Sequence, residues 1–170
     1  MAVNRLNHAV FYVRDADRTA GFYEDVLGFV RVGAFPGAVF MQAPGSTNDH
    51  DVAFFTIGEG AGASQAGQQT VGLYHVAWEV DTLDDLERLR TRLTEAGSLV
   101  GASDHSTTKS LYARDPDGAE FELAWVVPAD RLDEDTVKGR ATIKPLDLDR
   151  EIARYGRDTK GGIGISVPVP

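Results

Sequence analysis

Three side chains of the kinds that bind divalent metals stand at related places in the chain: His8, His75 and Glu122. The two histidines occupy the same position in two similar segments, Leu-Asn-His-Ala-Val and Leu-Tyr-His-Val-Ala. Two neutral imidazoles and one carboxylate leave coordination positions open on a metal, an arrangement associated with non-haem Fe(II) oxygenases and equally suited to Mn(II). Zinc hydrolases use similar donors, commonly from a helical His-Glu-x-x-His motif that this chain lacks. The spacing therefore predicts a metal site that the fold assembles from distant strands.

The two histidines open two copies of one pattern of elements, which suggests that a single supersecondary unit is used twice. In each copy a short strand is followed by a helix that ends near a glycine, Gly28 in the first copy and Gly97 in the second. The predicted fold is α+β, with two βαβββ modules at residues 5–58 and 72–127 that form an open mixed-sheet barrel around the metal site. The three strands after each helix are predicted at 29–32, 38–42 and 51–57, and at 99–101, 110–114 and 120–126.

Side-chain alternation along the strands predicts which way the candidate ligands point. His8 shares a strand face with Tyr12, and Glu122 shares one with Glu120, while the intervening residues near Glu122 are apolar and face a helix. The candidate ligands therefore point away from the helices, towards a cavity or solvent. Aromatic residues on the predicted strands suggest an apolar, aromatic ligand, and the candidate pocket-lining residues are Tyr12, Phe35, Phe40 and Phe54.

Composition excludes several classes of protein. With 170 residues, 42% of them hydrophobic and 25% charged, the chain has the make-up of a globular domain. The absence of cysteine excludes thiol catalysis, disulfides and cysteine metal sites. A net charge of -9 without a basic stripe argues against nucleic acid as a partner. Because no apolar run could span a membrane and no signal-peptide core is present, we expect a cytoplasmic protein without a membrane partner.

Residues 128–170 fall outside the repeats and form a C-terminal extension to the domain at 1–127. A short helix is predicted near 146–155, and residues 161–170 have the composition of an extended tail. Two interpretations of the extension are open. It is either a lid or dimer arm over the cavity, or a segment that packs on the outside of the barrel or on a partner subunit.

Four motifs resemble the vicinal oxygen chelate superfamily, which contains glyoxalase I, bleomycin-resistance proteins, fosfomycin-resistance enzymes and extradiol ring-cleaving dioxygenases. The resemblance covers about residues 5–127. Because one fold hosts several activities, it implies the fold more strongly than the reaction. The motifs are NHAV at 7–10, FYEDVLGF at 22–29, YHVAW at 74–78 and SLYARDPDGAEFEL at 110–123.

Within this superfamily the chain is most similar to single-domain extradiol dioxygenases of the catechol 2,3-type. Glyoxalase I has a fourth metal ligand in the first module, where Val52 is the sequence match to Glu122, so that ligand is missing here. His50 lies in His-Asp-Val-Ala-Phe, a segment that resembles the one in extradiol dioxygenases that carries a histidine near the metal but not bound to it. Tyr112 matches a tyrosine beside their substrate, and His105 lies on the loop before that strand.

The resemblance implies Fe(II), or alternatively Mn(II), held by the two repeat histidines and Glu122. It further implies a catechol-type aromatic substrate, O2 and a homodimer. In that reaction His50 would assist proton transfer, Tyr112 would bind a substrate oxygen, and His105 could contact substrate. The alternatives at these positions are a turn cap, a packed tyrosine and a loop residue. At the level of function, the alternatives are a metal-dependent glutathione or thiol transferase of the fosfomycin-resistance type and a non-enzymatic protein that sequesters an aromatic antibiotic.

Overall fold

The structure is a computed structural model that describes residues 2–3, 5–66 and 69–162. The chain divides into two compact units. Unit 1 comprises residues 1–74 and 115–119, and unit 2 comprises residues 75–114 and 120–170. The tail predicted at 161–170 lies outside the described residues from position 163 onwards.

Unit 1 is a four-stranded sheet with one helix. Its elements are β1 (Ala9–Val13), α1 (Ala16–Phe22), β2 (Val30–Phe35), β3 (Ala38–Gln42) and β4 (Val52–Thr56). The strand order is β1-β4-β3-β2, with β1 parallel to β4 and the other pairs antiparallel. His8 stands one residue before β1, and the sequence prediction for β2 ended three residues too early.

The helical segment of unit 1 ends at Gly28, as the sequence predicts. The carboxylate of Asp15 accepts hydrogen bonds from the backbone N–H groups of Asp17 and Arg18, which caps the free donors of the first turn. After Phe22 the chain continues as a π-helical turn over Tyr23–Leu27. Gly28 then ends the helix with φ of 79°, a conformation that is costly for a residue with a Cβ.

Unit 2 repeats this arrangement and extends it. Its repeat elements are β5 (His75–Glu79), α2 (Leu83–Glu95), β6 (Leu99–Asp104), β7 (Thr108–Arg114) and β8 (Glu120–Val126). The strand order begins β5-β8-β7-β6, with β5 parallel to β8. The α+β class and the two βαβββ modules are therefore confirmed.

The helix α2 covers the core of unit 2. The Thr82 hydroxyl accepts a hydrogen bond from the Asp85 N–H and so caps its N-terminus. Leu83, Leu86 and Leu93, spaced at helical intervals, are fully buried. On the facing sheet, the odd-numbered residues of β8 are buried as well: Phe121, Leu123 and Trp125. Glu122 is consequently directed to the opposite face of the sheet.

In unit 1 the same alternation corrects one sequence prediction. Phe54 is fully buried, and its ring lies 4.8 Å from the ring of Tyr23, at the end of the helical segment. It therefore belongs to the core and not to a pocket, so its assignment as a pocket-lining residue is wrong. Its neighbour Phe55 lies on the other face, where its ring centroid is 6.0 Å from that of Phe40.

The C-terminal extension folds with unit 2. It contains 3₁₀ turns at Ala129–Arg131 and Gly139–Ala141, the helices α3 (Glu134–Lys138) and α4 (Leu148–Tyr155), and the two-residue strand β9 (Lys144–Pro145). β9 pairs with the end of β6 and becomes the fifth strand of the sheet. α4 packs against α2. None of the helices in the described part of the chain is long and apolar enough to cross a membrane.

Candidate functional site

Two of the three predicted metal ligands lie together in unit 2. In the parallel pair of β5 and β8, Glu122 is opposite Ala77, two residues beyond His75 on the same strand face. The Nε2 atom of His75 is 3.1 Å from Oε2 of Glu122. Both side chains are partly accessible, with 25% and 13% of their surfaces exposed.

The separation of these two atoms suits a shared metal ion. Ligands at right angles on a metal, each with a bond of about 2.1 Å, are about 3.0 Å apart. An imidazole nitrogen and a carboxylate oxygen are also the donor types that iron and manganese accept. The observed 3.1 Å between His75 and Glu122 therefore fits two adjacent ligands, and in the absence of a metal it equally fits a hydrogen bond.

Tyr112 and His105 join the same side of unit 2. Tyr112 is paired directly with Glu122 across the antiparallel strands β7 and β8. Its ring lies 5.8 Å from the ring of His75, nearly edge-on. His105, on the turn before β7, places Nε2 2.8 Å from the Tyr112 hydroxyl. The structure thus brings four of the six predicted site residues into one cluster.

The remaining two predicted residues meet in unit 1. The rings of His8 and His50 lie 4.4 Å apart and are inclined by 37°. Nδ1 of His8 is 2.8 Å from the Asn7 side-chain oxygen, and Nδ1 of His50 is 3.0 Å from a carboxylate oxygen of Asp49. An acceptor at Nδ1 favours the tautomer with a lone pair on Nε2, the form in which a histidine binds a metal or accepts a proton.

A bend in the chain explains how His50 reaches His8. The N–H of Asp51 donates to the Met41 carbonyl and the N–H of Ala9 donates to the Asp51 carbonyl, so regular pairing with β1 starts only after His50. Asp51 is further held by its side chain, which accepts hydrogen bonds from Ala43 N–H and the Ser46 hydroxyl. Strand alternation alone would not place His50 on this face.

The register of the first module corrects the sequence match to Glu122. Glu122 pairs with the second residue after His75, and the second residue after His8 is Val10, which pairs with Ala53. Val52, the match made from the sequence, is fully buried on the helix face. Ala53 therefore stands where Glu122 stands in the other module. The conclusion that this position lacks a fourth ligand is unchanged, because alanine cannot bind a metal.

An aromatic cluster borders His50 in unit 1. The ring of Phe40 lies 5.2 Å from the His50 ring in an edge-on contact. Phe35 and Phe55 extend this cluster, with ring centroids 5.7 Å and 6.0 Å from that of Phe40. Arg31 is the one basic residue in the four strands of this unit, and its guanidinium is paired with carboxylates of the helical segment. The surface beside His50 is therefore formed by aromatic rings without a cation from these strands, and the exposed carboxylate of Asp49 contacts His50 itself.

Neither unit supplies a complete metal site on its own: no group of three His, Asp or Glu side chains suited to a metal occurs among residues 2–3, 5–66 and 69–162. The predicted triad takes His8 from unit 1 and the pair His75 and Glu122 from unit 2. Its assembly stays a prediction. What the structure supports within unit 2 is the fit of that pair to two positions on a metal.

Sequence reasoning missed a buried ionic cluster in unit 2. The ammonium group of Lys109 lies 2.5 Å from a carboxylate oxygen of Asp104 and 2.9 Å from one of Glu151, and Lys109 and Glu151 are almost fully buried. Arg150 also contacts both carboxylates. The alternation of Thr108–Arg114 would have directed Lys109 towards the core, but its partner on α4 is too distant in sequence to be inferred.

The turn at residues 115–119 contains two aspartates with different roles, Asp115 and Asp117. Asp117 accepts hydrogen bonds from Arg14 and Arg18, so it is an ionic anchor as well as a turn residue. Burial raises the pKa of Asp115 to about 6, although backbone N–H groups of Ala119 and Asp117 donate to its carboxylate and oppose the shift. Asp115 is consequently a group that changes charge near neutral pH.

The chain belongs to the glyoxalase/bleomycin resistance protein/dioxygenase superfamily, whose family model matches residues 5–123. Members of this superfamily are mostly enzymes, and its related dioxygenases and thiol transferases use metal ions. Their reactions differ, so membership defines the class of protein and leaves the particular reaction open.

Three similar proteins illustrate that range. Biphenyl-2,3-diol 1,2-dioxygenase 3 of Rhodococcus globerulus is 35% identical over 120 residues, which cover 70% of this chain and 62% of that protein. Metallothiol transferase FosB of Shouchella clausii is 32% identical over 141 residues, covering 76% of this chain and 86% of the transferase. A glyoxylase/bleomycin resistance protein/dioxygenase domain from Frankia sp. EAN1pec shares the fold, with a TM-score of 0.61 and 22% identity over 75% of this chain and 96% of that domain.

Proposed function

We propose that this protein is an Fe(II)-dependent extradiol dioxygenase that cleaves the ring of a catechol-type aromatic with O2. The observation that carries the proposal is the aromatic cluster beside His50, formed by Phe35, Phe40 and Phe55. Such a surface stacks well against a planar aromatic ring. The 35% identity to the biphenyl-2,3-diol dioxygenase adds independent support, although the chain spans only 62% of that enzyme.

His75 and Glu122 are proposed as metal ligands because their donor atoms are spaced as two adjacent ligands would be. His8 is proposed as the third ligand because it holds the repeat position of His75 and because its Nδ1 contact with Asn7 favours a free lone pair on Nε2. A bound Fe(II) would supply a template for the substrate oxygens and electrons for the reaction with O2, and Mn(II) is the alternative metal.

The other site residues are proposed to handle protons and orientation. His50 accepts or donates a proton at Nε2, because its Nδ1 is directed to Asp49. Tyr112 holds a substrate oxygen through its hydroxyl, which His105 keeps in place through the 2.8 Å contact. Aromatic side chains beside His50 exclude water from the reacting ring.

The test begins with metal binding and then measures the reaction. Anaerobic addition of Fe(II) or Mn(II) should raise the unfolding temperature of the wild type but not of His8→Ala, His75→Ala or Glu122→Gln. Glu120→Gln is the matched control, since Glu120 lies on the same face of β8 beside Arg114 and should keep the metal response. Oxygen uptake and absorbance are then followed with catechol and biphenyl-2,3-diol as substrates.

Yellow ring-opened product with matching oxygen consumption in the wild type and in Glu120→Gln, and none in the ligand variants, is the expected result. If metal binds but no diol is oxidised by O2, the dioxygenase proposal is wrong. If no variant alters the metal response, the ligand assignment is wrong.

The second candidate is a metal-dependent thiol transferase, favoured by the alignment with metallothiol transferase FosB over 86% of its length. A transferase acting on an anionic phosphonate would need cationic side chains to neutralise it. In the four strands of unit 1, the single basic residue, Arg31, is turned to Asp17 and Glu24. Thiol consumption with an epoxide phosphonate, together with absent oxygen uptake, would replace the dioxygenase proposal with this one.

A further inference from the structure

We propose that the C-terminal extension is a positioning device for His105: it holds the turn at residues 105–107 so that the imidazole meets the hydroxyl of Tyr112. The inference rests on the proposed function, because it assigns the extension a part in the same site. Three separate contacts from the extension reach this turn or the residues on either side of it.

The first contact is the buried ammonium of Lys109. An ammonium group has three N–H donors. Here the ammonium donates to the Asp104 carboxylate at 2.5 Å and to the carbonyl of Ser106 at 3.1 Å, and it forms an ion pair with Glu151 at 2.9 Å. Asp104 and Lys109 flank the turn, and Glu151 comes from α4. The helix of the extension is therefore connected to the turn backbone through a single buried cation.

The second contact is steric. A Cβ added to Gly139 would lie 2.9 Å from Cβ of Ser106 and would also overlap its hydroxyl oxygen. Real side chains do not approach so closely, so any residue larger than glycine would displace the turn. Gly139 has φ of −71°, which alanine adopts without strain. A substitution at this position therefore acts on the turn and not on its own backbone.

The third contact is the strand β9. Pro145 pairs with Ser103, and Lys144 pairs with Asp104, at the end of β6. These residues immediately precede His105, so the extension fixes the point at which the chain leaves the sheet. The short strand also lies between Gly139 and α4 in sequence, which places all three contacts within one continuous stretch of the extension.

The turn needs external support because its own conformation is unfavourable. Ser106 has φ of 69° and is the one non-glycine residue with positive φ in the described ranges. Such a conformation costs free energy for a residue with a Cβ and persists where the surroundings impose it. Inside the turn, the N–H of Ser106 donates to Asp104, and the N–H of His105 donates to the Thr108 carbonyl. The extension adds the contacts that keep the imidazole on the Tyr112 side.

The test uses Gly139→Ala in the full-length protein, with Gly60→Ala as the matched control because Gly60 has open space around its Cβ position and no positive φ. The four histidines give four Hε1–Cε1 ring signals in an NMR spectrum, and His105→Ala identifies the signal of His105. Gly139→Ala should shift this signal and leave those of His8 and His50 in place, whereas Gly60→Ala should shift none of them. An unmoved His105 signal in a folded Gly139→Ala variant would overturn the proposal.

The kinetic readout tests whether the effect passes through His105. Gly139→Ala should lower kcat for ring cleavage about threefold to tenfold with KM little changed, since displacement of a positioned group by a fraction of an ångström costs part of the roughly 100-fold expected for a full ångström. In a His105→Ala background the same substitution should have no further effect. An equal loss in both backgrounds would show that the extension does not act through His105.

A second pair of variants guards against misfolding of Gly139→Ala. Glu151→Gln keeps the shape of the side chain but weakens its hold on Lys109, and it should shift the His105 signal in the same direction. Glu134→Gln is its control, because Glu134 is an exposed residue of α3 paired only with Lys138. If the signal shifts as expected but the wild type cleaves no diol, the positioning role stands and the proposed reaction fails.

Discussion

Tyr112 touches two histidines in different ways, through its ring with His75 and through its hydroxyl with His105. Tyr112→Phe keeps the ring contact and removes the hydroxyl. We expect kcat to fall about tenfold or more, because one hydrogen bond to a charged group contributes about 1.5–3 kcal/mol. His105→Ala should cause a similar loss. Steady-state kinetics on the double variant should show no loss beyond the larger single effect. If the loss of kcat in the double variant equals the product of the two single losses, the two residues act independently.

Asp115 is the residue for which stability should depend on pH. Its folded pKa is about 6, above the ordinary value of 3.8, because burial disfavours the charged form. Below about pH 4 the carboxyl group is protonated in both the folded and the unfolded state and does not reduce the free energy of unfolding. As the pH rises from about 4 to 6 only the unfolded state ionises, so stability falls, and above pH 6 the full penalty of about 3 kcal/mol is present.

Asp115→Asn should therefore gain up to about 3 kcal/mol relative to wild type between pH 4 and pH 7, measured by urea unfolding at both values. The Oδ2 atom of Asp115 has no hydrogen-bond partner in the described part of the chain, so the new amide N–H would lack one too. That cost is the same at both pH values and cancels in the comparison. Asp130→Asn, at an exposed position, should show no such trend. A flat difference for Asp115→Asn would contradict the raised pKa.

At the scale of elements, the strand residues of the site could be predicted from alternation. Phe121, Leu123 and Trp125 are apolar and buried, which leaves Glu122 on the open face of β8. The repeat likewise placed His75 beside it, because the same parallel pairing recurs in both modules. These predictions succeed because a strand has a fixed period and each of these segments has one apolar face.

Positions set by irregular or distant structure could not be predicted. His50 reaches His8 through the bend at Asp51, and a one-residue error of register put Val52 in the place of Ala53. The turn that brings His105 to Tyr112 depends on Glu151, whose approach no local pattern encodes. In each case the position depends on a contact between residues that are distant in sequence or on an irregular turn. The secondary-structure preference of the local segment does not predict such a contact.

The ionic link between β7 and α4 should be important for stability. Lys109→Met would leave the buried carboxylates of Asp104 and Glu151 with the largely exposed Arg150 as their remaining cation, so we expect a loss of about 3 kcal/mol in the free energy of unfolding. Adding Glu151→Leu should recover part of that loss by removing one of the two buried carboxylates that the ammonium had neutralised. The measurement is urea unfolding of both variants.

Lys138→Met is the control for this prediction, because Lys138 forms an exposed ion pair with Glu134 on α3. Exposed pairs contribute about 0–1 kcal/mol. If Lys109→Met costs no more than Lys138→Met, the buried cluster does not hold α4 in place.

At the scale of the whole molecule, the extension is part of unit 2 and not an appendage. The indole N–H of Trp125 donates to the Thr159 carbonyl, and its ring lies 5.4 Å from that of Tyr155. A chain ending at residue 127 should therefore have a lower unfolding midpoint and a red-shifted tryptophan emission. The expected cause is exposure of a side chain that is fully buried in the full-length protein.

The emission of the full-length Trp125→Phe variant serves as the control, because the chain has two tryptophans and this variant isolates the signal of the other. The shift in the truncated chain should be confined to the component that Trp125→Phe removes. An unchanged emission and midpoint after truncation would show that unit 2 folds without the extension.

The two sheets protect their outer edges by different means. In unit 2, β9 covers the end of β6, whereas in unit 1 no strand lies beyond β2 in the described part of the chain. An open edge can template aggregation, but a register shift between Arg31 and Gly33 and the charge of Arg31 interrupt the regular pairing surface of β2. Loss of the extension would expose the edge of β6 at Ser103 and Asp104, which lie beyond the register shift of β6 between Leu99 and Gly101. Aggregation of a shortened chain would then arise from strand pairing between molecules, in addition to any loss of folding free energy.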